Sequence, residues 1–409
     1  MPFLRPAPGP PAPLSLSPWQ NQPYLTLFVL YKLTTLALLH PYWVLKRLFH
    51  LGDAFPRSWT LNEVLNVQRF RHIERLLSAC DVAPGTEDYR VLGRRSEESR
   101  PVWVEEAEGE YVQGILRSVE KVKPVRVPAY LAEKGKDDAA GASISIAEGE
   151  GVLLYLHGGG FMFGNATSSD VTYANPRALL SLVPSLKHVL VPSYRKITQA
   201  PFPAALLDSL SAYLHLLLTL RIPPSQIILS GDSAGASLAL ALTRYIRDEL
   251  KKPEWLPNAL VLFSPLASQE TDLGMKRMLV PPRNLKRCLL DFDVIQPYMA
   301  LRLLHTSPIS LIDSPWLSPA SSVVPATKEL FEGFPPCFVS AGGAEVLLEG
   351  IEELVRRLAV SEVECVYHFQ PDAPHDWQMF PWFNPAQGAL CYEKAAAFVE
   401  EKLGGKQLS

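Results

Sequence analysis

From Gly151 onward, short unbroken apolar runs alternate with stretches in which apolar residues recur every three or four positions. The runs are Val152–Leu156, Lys187–Pro192, Gln226–Leu229, Ala259–Phe263, Pro336–Ser340 and Val363–Phe369. Helical spacing begins near Ala204, Ala234 and Glu345, and a further helix ends the chain. A strand that is apolar without alternation is buried on both faces. Alternation of such strands with helices predicts an α/β fold, with a mostly parallel central sheet and helices on both faces. About 70 residues between Phe263 and Pro336 break this rhythm and read as an insertion, placed where it caps a pocket.

The N-terminal side is less regular. Residues 1–23 are rich in proline and are expected to be disordered or extended. Tyr24–Leu45 is long enough to cross a bilayer, which takes roughly 20 residues. Its eleven Leu, Val and Phe residues contribute about −3 to −6 kcal/mol to insertion, against about +3 for Lys32. Tyr24, Tyr42 and Trp43 sit at its ends, as interfacial aromatics do. Residues 24–45 are therefore expected to be a membrane-anchoring transmembrane helix. Lys46, Arg47 and Arg57 follow it and favour a cytoplasmic catalytic side. The expected location is a membrane, the endoplasmic reticulum or another endomembrane. The alternative is a cytoplasmic protein whose amphipathic helix lies over an apolar pocket, or in the membrane interface. A cleaved signal peptide is disfavoured by the late start and the weakly basic front. Trp59–Ala79 has helical spacing, the segments at Val102, Tyr111 and Val122 look strand-like, and Lys134–Glu150 reads as a polar loop.

The bulk numbers narrow the function. With 409 residues, 47% hydrophobic and 20% charged, the chain can build a large core. A net charge of −3, with no basic face, argues against a nucleic-acid partner. Cys80, Cys288, Cys337, Cys365 and Cys391 form no C-x-x-C pair, so zinc-finger and redox motifs are excluded. The sequon Asn165-Ala166-Thr167 lies beside a glycine run and is read as chance.

The chemistry concentrates in three places. "ILSGDSAGASLALAL" from Ile228 reads strand, Gly231-Asp232-Ser233-Ala234-Gly235, helix. G-x-S-x-G between a strand and a helix is a nucleophile elbow, a turn so tight that it exposes the serine hydroxyl. A serine needs a base, and the base an orienting acid. Both are expected beyond the carboxyl ends of later strands. One such end delivers Glu345 and the next delivers His375, in the order serine, acid, histidine. His368 lies within a strand and Glu349 one turn beyond Glu345; Asp372 and Asp376 flank His375 too closely to pair easily with it. The third place is "HGGGFMFG", His157 to Gly164. A developing oxyanion is stabilised by backbone N–H groups, which approach closely only where side chains are absent. The glycine run after strand Val152–Leu156 is expected to supply such donors, and the amide of Ala234 another.

"HGGGFMFG", "SYRKITQAPFPAALLDSL", "GDSAGASLAL", "GGAEVLLEG" and "APHDWQMF" together resemble the hormone-sensitive-lipase-like branch of α/β-hydrolases, over about Gly151 to Leu403. This branch includes arylacetamide deacetylases and membrane-anchored steryl acetate hydrolases. The resemblance implies a triad of Ser233, Glu345 and His375, and an oxyanion hole of Gly159, Gly160 and Ala234. It implies structural roles for His157, Asp232, Tyr194, Arg195 and Asp208. It implies a cap built from residues 46–100 and about 266–320, on a catalytic domain spanning 101–409. Most relatives carry Asp in an Asp-Pro-Leu context where this chain has Glu345-Val346-Leu347, one methylene longer. The expected activity is a lipase-like serine carboxylester hydrolysis of apolar small-molecule esters, short-acyl or lipid and sterol esters, without metal or cofactor. The alternatives are amide hydrolysis or deacetylation by the same triad, and a non-catalytic small-molecule receptor.

Overall fold

The computed structural model describes residues 21–52, 54–80, 88–94, 96, 98–135, 146–269, 284–291, 299–305 and 307–404. Most of the proline-rich segment 1–23, part of the loop Lys134–Glu150 and much of the insertion at 266–320 lie outside them.

Eight strands form one sheet: β1 (Arg100–Val104), β2 (Val127–Glu133), β3 (Gly151–Leu156), β4 (Leu186–Pro192), β5 (Ile227–Asp232), β6 (Ala259–Phe263), β7 (Cys337–Gly342) and β8 (Cys365–Gln370). Their spatial order is β1-β2-β4-β3-β5-β6-β7-β8. The pairs β1/β2 and β2/β4 are antiparallel, and all others are parallel. Each continuous apolar run found in the sequence is one of the six parallel strands. The reason is visible along β3. Val152, Leu154 and Leu156 join the core on one face, while Leu153 and Tyr155 join the core on the other. Neither face of the strand meets water, so neither face is polar.

The described α-helices are α1 (Tyr24–Leu48), α2 (Leu61–Cys80), α3 (Ala174–Leu182), α4 (Ala204–Leu214), α5 (Ser233–Arg244), α6 (Leu348–Val360) and α7 (Pro385–Lys402), besides a short turn at 299–304. α4, α5 and α6 pack on one face of the sheet, α3 and α7 on the other. The chain leaves β3 toward β4 on one side and returns to β5 on the other. The carboxyl ends of β3 and β5 therefore flank a topological switch point, the place where open α/β sheets leave a crevice for ligands.

The segment at Tyr111 is not a strand. It forms short 3₁₀ turns at Gly109–Tyr111 and Gly114–Arg117. Gly109 and Gly114 have φ of 60° and 49°, which breaks extended backbone. The buried residues Val112, Leu116, Val119 and Val122 follow turn spacing rather than alternation. At Val122 the extended strand begins only at Val127.

α2 begins with a capping box: Thr60 Oγ1 accepts from Glu63 N (3.3 Å), and Glu63 Oε2 accepts from Thr60 N (2.6 Å). Its face bearing Val64 and Val67 joins the core beside Phe380 and Phe383. α1 packs on α2 through Leu25 against Leu76 and Leu77, and His72 bonds the Lys32 carbonyl (2.8 Å). The outer face of α1 stays bare, with Leu38 70% and Leu27 59% exposed. Among the described residues α1 is the one helix long and apolar enough to cross a membrane.

Candidate active site

Ser233 sits where β5 turns abruptly into α5. Its φ of 51° is left-handed, a strained conformation for a serine, enforced by the packing around it. Gly235 allows α5 to meet β3: a Cβ there would stand 2.0 Å from the Leu156 carbonyl oxygen. The first turn of α5 is thereby pressed against the end of β3, and Ser233 is left on the cavity side. Ser233 is 7% exposed, and its residue lines the cavity at the carboxyl ends of the strands.

Glu345 and His375 come from the loops after β7 and β8. Glu345 Oε2 lies 2.6 Å from His375 Nδ1. Glu345 Oε1 accepts from Gly342 N (2.6 Å) and Ser264 Oγ (3.2 Å). Asn284 fixes the backbone of the same turn by bonding the Glu345 carbonyl (3.0 Å). The longer Glu side chain is thus held at both oxygens. Glu349, by contrast, lies in the first turn of α6. His368 lies within β8, its Nδ1 3.2 Å from Lys394 Nζ and its buried Nε2 without a partner among the described residues.

The carboxylate of Asp376 does pair with its neighbour, against the sequence expectation. A left-handed φ of 51° folds the backbone back, so Asp376 Oδ2 stands 3.1 Å from His375 Nε2. Asp372 behaves as expected and faces elsewhere, accepting from Ser58 Oγ (2.9 Å). His375 and Ser233 line the same cavity, although no hydrogen bond joins Ser233 Oγ to the imidazole among the described residues. Such bonds often align only when substrate is bound.

The glycine run completes the arrangement. Gly159 takes φ of 99°, and a Cβ there would meet the Phe163 carbonyl oxygen at 2.5 Å. Among the described residues the Gly159 and Gly160 amides donate no hydrogen bond. Ala234 lies in the first turn of α5, where backbone N–H groups have no intrahelical partner. Gly159 and Gly160 line the same cavity as Ser233. The loop is held from below. His157 stacks on Tyr194 at 4.4 Å and its Nδ1 lies 2.8 Å from the Gly158 carbonyl. Tyr194 donates to the His157 carbonyl. Asp232 accepts from Gly158 N (2.8 Å) and from Tyr155, which in turn accepts from Asn175 (2.8 Å). Arg195 grips Asp208 with a bidentate fork, 2.7 Å at its shortest, in a fully buried pair that ties the β4 loop to α4.

Burial sets the charges. His157 is driven down to about 3 by burial and by Lys196, so it is a neutral ring. Burial raises Glu345 above the usual carboxylate range even against the pull of His375. Burial by itself opposes charge on His375, but the carboxylates of Asp376 and Glu345 outweigh it and raise the imidazole well above its ordinary value. Burial, with the Asp376 carboxylate nearby, also raises Asp232 well above its ordinary range.

The cavity holds about 260 Å³. Its chemical end is Gly159, Gly160, Ser233 and His375, while the remaining wall is mostly hydrocarbon, including Phe70, Leu77, Leu290 and Met299. Sequence reasoning missed Ser264, Asn284, Asp376 and Glu74. Ser264 carries a usable signal, because it directly follows β6 at a strand's carboxyl end; Asp376 carries one as an acid beside His375, set aside as too close to pair, and Asn284 and Glu74 carry none.

Comparison with known proteins bears on this geometry. A family model described as alpha/beta hydrolase fold matches residues 153–379. An acetyl-hydrolase of Streptomyces hygroscopicus is 31% identical over 259 residues, covering 62% of this chain and 76% of that protein. Esterase LipU of Mycobacterium tuberculosis is 30% identical, covering 64% and 84%. Among solved structures, a mutant of the esterase E40 superposes with a TM-score of 0.55 at 24% identity, over 86% of this chain and all of that one. An esterase from the bacterial hormone-sensitive lipase family gives 0.52 at 24% identity, over 88% and 96%.

Proposed function

The chain belongs to the α/β-hydrolase fold family, in its hormone-sensitive-lipase-like branch, and on that premise we propose that it is a serine carboxylester hydrolase whose triad is Ser233, His375 and Glu345. The observation that carries the proposal is the 2.6 Å Glu345–His375 pair opening onto the same cavity as Ser233, beside the Gly159 and Gly160 amides, which donate no hydrogen bond among the described residues. His375 takes the Ser233 proton as the hydroxyl attacks the ester carbonyl. The amides of Gly159, Gly160 and Ala234 receive the oxyanion, each such donor being worth about 3 kcal/mol of transition-state stabilisation. The alcohol departs with a proton from His375 and leaves an acyl-enzyme. Water, deprotonated by His375, then releases the acid. Before the first step His375 must exchange its Asp376 contact for the serine. His157, Asp232, Tyr194, Arg195 and Asp208 hold the loops that carry these groups.

The apolar wall supports an apolar substrate, with a short acyl group or a lipid or sterol alcohol. Residues 46–100 and about 266–320 act as the cap: Phe70 and Leu77 come from the first, Leu290 and Met299 from the second. Amide hydrolysis by the same triad is the competing chemistry. Matched p-nitrophenyl ester and p-nitroanilide substrates separate them: the ester is expected to turn over at least 100-fold faster. Comparable rates would make the protein an amidase as well. Failure of a fluorophosphonate to label it would favour a receptor.

α1 serves as the membrane anchor, supported by its bare outer face. Introducing Leu27→Glu with Leu38→Glu, each costing roughly 3 kcal/mol in a bilayer, is expected to move the protein into the soluble fraction. Full-length protein that is soluble without detergent would place α1 over the pocket instead.

A further inference from the structure

Four acidic residues outside the triad line the cavity, Glu74, Asp170, Asp232 and Asp376, and Glu74 is the one that lies on α2. It stands between Ile73 and Leu77, which with Phe70 turn hydrocarbon toward the same space. The residue is buried, 7% exposed. Oε2 accepts a hydrogen bond from Asp291 N (2.8 Å), and Oε1 takes none among the described residues.

The neighbouring cations are committed elsewhere. Arg75 pairs with the Asp291 carboxylate, and Arg71 reaches the same carboxylate at 3.4 Å. Arg71 also donates to the carbonyls of Leu285, Cys288 and Leu290 (2.9, 2.7 and 3.3 Å). Among the described residues Glu74 is therefore left without a counter-ion of its own. Burial pushes its carboxyl up to about 8, with the Asp291 charge adding to the rise and the Asp291 amide, Arg71 and His375 opposing it. At neutral pH the group is mostly a neutral acid, able both to donate and to accept. Holding the Asp291 amide needs only one of its oxygens.

We propose that Glu74 is a specificity contact, whose second oxygen hydrogen-bonds a hydroxyl or ketone oxygen carried on the otherwise apolar body of the substrate. The inference rests on the ester-hydrolase reading and names the substrate class within it: apolar esters bearing one neutral polar group away from the scissile bond. A buried site built to bond such a group discriminates strongly against the analogue lacking it, because its own polar atom is then left unpaired.

The test uses the full-length protein and the monoacetates of four rigid polycyclic alcohols: the parent, a diol, a hydroxyketone and an amino alcohol. Wild type is expected to favour the diol or hydroxyketone monoacetate over the parent by at least tenfold in kcat/KM. Whichever of the two is preferred tells whether a hydroxyl or a ketone is read. Glu74→Gln, which still donates and accepts, keeps most of that preference, and Glu74→Leu reverses it toward the parent. Thermal shifts with the free alcohols as ligands report the same order without requiring turnover. No preference in wild type, or a preference that survives Glu74→Leu, overturns the proposal. So does a preference for the amino ester, which would require an ionised Glu74. p-Nitrophenyl acetate is run alongside: its hydrolysis without discrimination condemns the Glu74 contact alone, whereas no hydrolysis of any ester condemns the enzyme reading.

Discussion

Ser233→Ala is expected to lower kcat/KM toward p-nitrophenyl esters by roughly 10⁵–10⁶-fold, measured against the uncatalysed rate in the same buffer. The hydroxyls of Ser237 and Ser264 do not replace it. Ser237 lies one turn further along α5 and is spent on the Ser233 and Leu266 carbonyls. Ser264 is engaged with Glu345 and the Asp376 amide. The residual rate comes from the free amides and the cavity, which remain. The fold is expected to tolerate the change, since Ala at φ 51° is strained much as Ser is and no hydrogen bond of the Ser233 hydroxyl is lost among the described residues. An unchanged melting temperature with activity near background is the expected pair of results. Activity within tenfold of wild type would assign the nucleophile elsewhere.

Glu345→Gln is expected to cost about 10⁴-fold in kcat, through the wrong imidazole tautomer. Glu345 Oε1 faces two donors, Gly342 N and Ser264 Oγ, while Oε2 faces His375 Nδ1. A glutamine has one acceptor oxygen and one NH₂. With its oxygen kept toward Gly342, it turns the NH₂ on Nδ1, which places the ring proton on Nε2. That ring cannot accept a proton from serine. The pH profile carries a second signature. Activity needs neutral His375, so it rises as pH passes the imidazole's titration. Burial opposes the charged ring, and Asp376 and Glu345 overcome that opposition. Removing the Glu345 charge lowers the titration, so the acidic limb of kcat/KM moves to lower pH even as the plateau falls. Asp376→Asn is expected to move the same limb in the same direction with a much smaller loss of rate, because Nδ1 keeps its carboxylate. A limb that does not move in either variant would mean that these carboxylates do not govern the base.

The sequence was legible where one physical constraint acts on one local stretch. Strands buried on both faces carry few polar residues, so β3 through β7 stand out as apolar runs, while β8, at the sheet edge with Val366 and Phe369 exposed, is apolar without being buried on both faces. The elbow announced itself because Gly231 and Gly235 tolerate no side chain against neighbouring backbone. Glu345 and His375 could be placed because the carboxyl ends of successive strands converge. The segment at Tyr111 was misread because an apolar string was weighed above the glycines that interrupt it. Asp376 was passed over because proximity in sequence was taken to forbid pairing, whereas a single left-handed residue permits it. Asn284 and Glu74 were illegible for a different reason. Each matters through a partner remote in sequence, Glu345 for one and Asp291 for the other, and no periodicity records such a meeting.

The most direct measurement is the site of covalent capture. Full-length protein treated with a fluorophosphonate and digested with trypsin is expected to carry one adduct, on the peptide 222–244, localised by fragmentation to Ser233. Its rate of formation is expected to fall in Glu345→Gln. An adduct on any other residue, or none at all from protein that hydrolyses esters, would contradict the account.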